Sequence, residues 1–434
     1  MTTSPLRSRS AWSYNRHLLM SAIFSVLPIG VFAQSAPLTL DQALKQADAR
    51  AASVQAANAS VQASRELAVK AEQLPDPTLK VGIDNLPVTG ADRYSTTSDF
   101  MTMRRIGLEQ EWVSSDKRKA RAQRAQRAVE MEDATYLETV AKVREETATA
   151  WVNVLYQQRK LVLANEMVKN AGDSKMAAQA LHRSARAIGN EVLQAQLAMT
   201  QAQELVRKSE QALRVARRTL SRWTGMPNTI VADETPVLHS HVADLPIEQL
   251  EKYHPMLLAA RRAVALADAD SALAVKESRP NWTIEASYAQ RGGQYSNMMS
   301  FGINIPLTLN REHLQNRDIA EKAALGTKAR MNYEEALREL REEIANLSIT
   351  LDGDKERAAS LRKDLLPAAR QQITLADAAY RSGTGSLAAV FVSKKTELEL
   401  QWQILDLEQE AAIAWASLEY HVIPHDMTVA GDQQ

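Results

Sequence analysis

Two hydrophobic periods divide this chain. Between Trp282 and Leu307 the period is two. Trp282, Ile284, Ala286 and Tyr288 alternate with Thr283, Glu285, Ser287 and Ala289. After the turn "GGQYSN", Met299, Phe301, Ile303, Ile305 and Leu307 alternate with Ser300, Gly302, Asn304 and Pro306. Alternation across a Gly-rich turn predicts a β-hairpin, with strands at 281–291 and 298–307. An earlier segment is built alike. Leu79, Val81 and Ile83 alternate with Lys80, Gly82 and Asp84, and beyond a longer polar loop Ile106, Leu108 and Trp112 share one face. Strands are expected there at about 78–87 and 102–113. A strand of roughly ten residues, tilted near 45°, spans a bilayer core. Nothing in the sequence supplies a second sheet to cover these apolar faces.

Elsewhere the pattern is helical and long. From Ser115 to Arg183 only Gly172 interrupts a helix-like run of roughly 100 Å at 1.5 Å per residue. A matching run follows the second hairpin, 311–381, with Gly353 and Pro367 as its weak points. Each run meets a turn and then a return helix, 191–224 and 387–422. Shorter helices, about 40–74 and 255–279, lead up to the two hairpins. Apolar positions in these helices are mostly Ala with interspersed Leu and Val, which gives a narrow seam and a wide polar face. Runs far beyond 25 residues point to a coiled-coil-like assembly. The joint between helix and strand is written twice, as "LAVKAEQLPDPTL" (67–79) and "LAVKESRPNWTI" (273–284). Pro75 and Pro280 suit the switch, because proline disfavours helix just before it and offers no backbone donor.

The domain reading follows. Residues 1–33 are a signal peptide and 34–224 a first repeat with its tip at 183–191. An equatorial linker, 225–254, joins it to a second repeat, 255–422, whose tip is 381–387, and 423–434 form a tail. In the leader, Arg7, Arg9 and Arg16 precede the apolar "HLLMSAIFSVLPIGVFA", and Val31-Phe32-Ala33 suits cleavage after Ala33. Its removal leaves 49 basic against 52 acidic residues, a net charge of −3, with no electrostatic footprint for nucleic acid. The chain has no cysteine, which excludes disulfides, thiolate metal sites and a lipidated N-terminal Cys. Four strands cannot close a membrane barrel, since the smallest have about eight, so a membrane sheet needs several chains.

The leader, the duplicated helix–hairpin–long helix–return helix and the turn sequences resemble TolC-type outer-membrane efflux factors. "LPDPTL", "DKRKAR" (116–121) and "YRSGTGSLAAVF" carry the resemblance most specifically. It implies a mainly α fold with a small β part, in which a homotrimer forms a 12-stranded β-barrel joined to a 12-helix α-barrel tunnel. It further implies a passive, non-enzymatic exit duct in the Gram-negative outer membrane, without cofactor, served by a periplasmic membrane-fusion adaptor and an inner-membrane RND pump. "LPDPTLKVGIDNLPVTG" and "DFMTMRRIGLEQEW" look most like the heavy-metal-efflux branch, with multidrug or other organic efflux as the alternative cargo. A periplasmic coiled-coil scaffold without a barrel is the reading outside transport.

Candidate residues come from the same comparison. The two turns align at an offset of 198, His182-Arg183-Ser184 against Tyr380-Arg381-Ser382. By resemblance they are periplasmic tips, with Glu191, Tyr380, Arg183 and Arg381 at the gate and Gly189, Gly383, Gly385, Ser386 and Leu387 contacting the adaptor. A Glu191–Tyr380 hydrogen bond is expected in the closed tip, beside the alternative of Glu191 stabilising its own helix. Where some relatives ring the pore with acidic residues, this chain has Ala389 and Val392. Trp112, Lys117, Arg118, Trp282 and Tyr288 are expected at the membrane interface, where the basic run 117–127 meets lipid phosphates or caps helices. No metal site is expected. His239 and His241 are the weak candidates, since His-x-His can chelate only if further ligands converge.

Overall fold

The computed structural model describes residues 37–184, 189–242, 245–246, 250 and 252–423. The expected signal peptide, the middle of the first tip and the tail beyond 423 lie outside them. From Pro37 the described residues form one compact unit.

The element order is α1 (Leu40–Arg50), α2 (Ala52–Ala71), β1 (Thr78–Asp84), β2 (Met103–Trp112), α3 (Ser115–Arg183) and α4 (Gly189–Thr224). It continues with α5 (Pro255–Glu277), β3 (Trp282–Gln290), β4 (Met298–Asn304) and α6 (Gln315–Ser360). A π turn (Leu361–Leu365), α7 (Leu366–Arg381) and α8 (Leu387–Tyr420) complete it. The strands form one antiparallel sheet in the order β1-β2-β3-β4. The two hairpins therefore join through β2 and β3, from Arg104 opposite Gln290 to Trp112 opposite Trp282. The strands approach closely there. A Cβ on Gly107 would sit 2.7 Å from the Ser287 Cβ, so only glycine fits.

The helices pack in two sets of four around α3. Near its start the order is α2, α3, α5, α6; toward its end it is α4, α3, α8, with α6 and then α7 on the far side. The buried core lies about midway along α3. Trp151, Val154, Leu155 and Tyr156 meet Leu38, Leu213, Leu220, Val231 and Ala412. The Trp151 indole donates to Leu38 O at 2.9 Å. Leu38 and Val231 form a parallel bridge, which pins the chain start to the linker. Burial pushes the Tyr156 phenol up to about 12.

Several expected boundaries differ for identifiable reasons. The first helix, expected over about 40–74, breaks at Ala51 (ψ 113°), where buried Ala47, Ala51 and Val54 join one cluster with Trp223 and with Val140 and Val143 of α3. β1 stops at Asp84 instead of 87, because Asn85 takes a left-handed φ of 55°, two residues before Pro87. β4 stops at Asn304 instead of 307, because Pro306 cannot donate to a ladder. The second long run is not one helix over 311–381. It starts at Gln315 and widens into the π turn, where Leu366 N–H donates to Leu361 O. Pro367 causes this: its ring excludes a regular turn, and the wider one absorbs the clash. Gly353 leaves no break.

The repeated helix–strand joint is held by two neighbouring side chains at the start of α3. Lys117 donates to Arg279 O at 2.7 Å and Asn281 Oδ1 at 2.5 Å, and pairs with Glu277 at 3.4 Å. Arg118 donates to Glu72 O at 3.3 Å. Each thus meets a carbonyl just past the end of α5 or α2, where helical carbonyls lack partners. Lys117 was expected at a lipid interface; it is 2% exposed and faces protein. Arg121 and Arg124 likewise pair with Glu277 (2.6 Å) and Asp270 (2.8 Å) on α5. The basic run is a seam between repeats, with Arg118 in the helix-capping role.

Lys117→Met removes the buried ammonium that meets Arg279 O, Asn281 Oδ1 and Glu277, and a loss of about 2–4 kcal/mol in stability is expected. Exposed Lys119→Met should stay within about 0.5 kcal/mol of wild type. Thermal unfolding of both purified variants checks the pair.

Candidate functional site

The sheet has two unlike faces. Cross-strand partners share a face, so the register sorts the side chains. One face carries Leu79, Val81, Ile106, Leu108, Tyr288, Met299, Phe301 and Ile303, ending in the Trp112–Trp282 pair. Most are more than half exposed, Phe301 at 78%. Gln110, the polar residue within this face, is satisfied by Pro75 O at 2.8 Å. A continuous apolar face of this size marks contact with a membrane or another protein. The candidates Trp112, Trp282 and Tyr288 lie on it.

The opposite face is charged. Lys80 pairs with Glu109 and, at 3.2 Å, with Glu285. Arg105 bridges Glu285 at 3.4 Å and Asp84 at 2.9 Å. Glu111, on the same face, accepts from Asn281 at 2.6 Å. Small residues (Gly82, Gly107, Ser287, Ser300, Gly302) leave room for these side chains to lie along the sheet.

The second tip is a tight turn built from its own backbone. Ser382 N–H donates to Ala378 O, and Thr384 and Gly385 both donate to Ala379 O. Gly383 has φ +78°, which favours glycine. Ser386 caps α8 by accepting from Ala389 N–H at 3.2 Å. Gly383, Gly385 and Ser386 are exposed while Leu387 is half-buried, and Arg381 pairs with Asp377 at 2.8 Å. At the first tip Arg183, Gly189 and Glu191 are exposed, flanking residues outside the described set. Within one chain no hydrogen bond joins Glu191 to the exposed Tyr380 among the described residues.

Behind the tips lie polar contacts that helical periodicity did not disclose. Glu397 is buried between α7 and α8, bonded by Arg370 (3.1 Å), Lys394 (2.5 Å) and Gln401 (3.1 Å). Burial pushes its carboxyl up, but Lys394 and then Arg370 hold it below the usual carboxylate range. Lys160 on α3 reaches Asp406 at 2.5 Å and Gln409 at 2.6 Å on α8. Glu and Lys crowd every helix here, and only packing decides which are buried.

The linker and the end of α8 meet. Ile423 N–H donates to Tyr253 O, and the His254 and His421 rings lie 4.9 Å apart. His421 Nδ1 is 3.5 Å from Glu145 and 4.0 Å from Glu343. The candidates His239 and His241 contact each other at 5.2 Å, and His241 also nears Glu419 at 3.5 Å. No group of three or more metal-ligating residues converges among the described residues.

The sheet thus has one bare apolar and one charged face, and the helices beneath it run to a tight turn at the second tip. Residues 247–420 match the family model described as outer membrane efflux protein. The cobalt-zinc-cadmium resistance protein CzcC of Cupriavidus metallidurans is 23% identical over 376 residues, covering 86% of this chain and 87% of that protein. Among solved structures, the outer membrane protein VceC of Vibrio cholerae superposes with TM-score 0.71 at 15% identity, over 87% of this chain and 94% of its own. CusC, in structures describing transmembrane channel formation, gives 0.70 at 17%, over 87% and 90%.

Burial, and then the charge of His421, lower the His254 pKa to about 3. Unfolded, His254 takes a proton near pH 6.5, so between these values the unfolded chain binds the extra proton. Its contribution is complete above about pH 6.5 and is lost on acidification, by roughly 2 kcal/mol at pH 5. The thermal midpoint should therefore drop between pH 7 and 5, and drop less in His254→Gln.

Proposed function

We propose that three copies of this chain close into an outer-membrane barrel continued by a helical tunnel, which serves as the exit duct of a tripartite efflux system. The observation that carries this is the open edges. Among the described residues β1 and β4 have unpaired outer sides, and the two sets of helices likewise end in uncovered elements, α2 with α6 and α4 with α7. In a bilayer every backbone group must be paired, so such a sheet exists there only as part of a closed ring. Three sheets of four give twelve strands. The apolar face then meets lipid, the charged face lines the lumen, and no helix needs to cross the membrane; among the described residues none is long and apolar enough to do so.

The tips would face a periplasmic adaptor fed by an inner-membrane pump, with Gly189, Gly383, Gly385, Ser386 and Leu387 presented for docking. The Glu191–Tyr380 contact, absent within one chain, belongs in this reading between neighbouring protomers of the closed tip. Similarity to CzcC favours metal cations as cargo over drugs or other organics.

Three measurements test the reading. Ile106→Lys puts a charge at mid-height on the lipid face, costing about 2–4 kcal/mol, and should abolish heat-modifiable trimers in outer-membrane fractions. Ser300→Lys on the opposite face should leave them intact; equal behaviour of the two removes the barrel. Glu191→Ala and Tyr380→Phe should each raise the conductance of purified channels in planar bilayers, and no change removes the gate. A deletion strain should gain sensitivity to cobalt, zinc, cadmium, copper or silver. Sensitivity confined to a drug panel transfers the cargo to organics.

A further inference from the structure

We infer that the charged face of the sheet, not the tip, sets the ion preference of the channel, and that it favours cations. This rests on the barrel reading above and names the residues that would discriminate. Every ionisable side chain on the five central rungs lies on the polar face or at the rim of the other. On the polar face are Asp84, Glu109, Glu111 and Glu285 against Lys80 and Arg105. That is a surplus of two negative charges per chain.

The pairing geometry fixes where the surplus acts. Lys80 is shared between Glu109 and Glu285, and Arg105 between Glu285 and Asp84. Two cations thus serve three carboxylates. Glu111 is held by the uncharged Asn281 amide, whose side-chain oxygen in turn accepts from buried Lys117. Their ion pairs and hydrogen bonds hold the carboxylates at set heights along the strands, with Gly107, Ser287 and Gly302 beside Glu109 and Glu285. Rings of fixed side-chain charge of one sign bias conduction toward the opposite sign. At the second tip, by contrast, the positions facing the turn are Ala389 and Val392, both exposed and uncharged.

The test is the reversal potential of purified wild-type channels in a planar bilayer under a KCl gradient, at low and at high salt. The wild type should pass K⁺ over Cl⁻, more strongly at low salt, since surface charge is screened over about 10 Å at 0.1 M. Glu109→Gln with Glu285→Gln removes the surplus while keeping shape, and should bring the permeability ratio close to one. Lys80→Gln, which deepens the surplus, should move the ratio the other way, and its opposite sign guards against a general loss of structure. A wild-type channel that conducts with no cation preference, or variants that keep wild-type conductance and reversal potential, overturn the inference and leave the channel standing. A wild type that forms no conducting channel overturns both.

Discussion

Helix and strand satisfy their backbones differently, and the place where one becomes the other strands carbonyls that have no partner of their own. This chain makes that switch twice on the way into its sheet, after α2 and after α5. Both times the stranded carbonyl is met from the start of α3, by Arg118 at Glu72 and by Lys117 at Arg279. Pro75 and Pro280 explain why each helix stops. They do not hold the stopped ends together, and the adjacent cations do. Since α3 leaves the sheet directly after β2, these contacts tie both hairpins to one helix, and the β2–β3 pairing follows from that attachment.

Once the hairpins are joined, the sheet's two faces become two continuous surfaces. The apolar face has nothing to pack on, and the polar face gathers a network of ion pairs that exposed surface pairs alone would scarcely justify energetically. The helices repeat the same logic. Ala-rich seams allow close packing around α3, while buried polar contacts such as Lys160–Asp406 and Arg370–Glu397 set which helices lie side by side. Among the described residues every layer ends in an uncovered element, so the chain closes its core but leaves its edges open.

Much of this was legible from periodicity. The four strands, the length of α3 and the second turn came from the change between period two and period 3.6, although Gly172, read as an interruption, leaves α3 continuous. The errors cluster where a local event outran the pattern. Asn85 and Pro306 shortened strands whose alternation continued beyond them. Pro367 was visible as a weak point, yet only the structure showed it absorbed by a π turn instead of ending the helix. The basic run 117–127 was legible as charge but not as a seam, because its acidic partners lie some 150 residues away on α5. The buried His254 stood out only once His421, at the end of α8, was in place beside it.

The sequence by itself determined the elements and their sides: alternation sets the face of a strand, and proline sets where a helix gives way. It also determined that one chain is too little sheet for a membrane, since four strands cannot close. Only the tertiary structure decided which charges are surface and which are structural. Lys117 and Lys119 are two residues apart in the same basic run; one is sealed against two carbonyl-type acceptors and the other lies in solvent. That distinction depends on what arrives from far along the chain, and no local pattern records it.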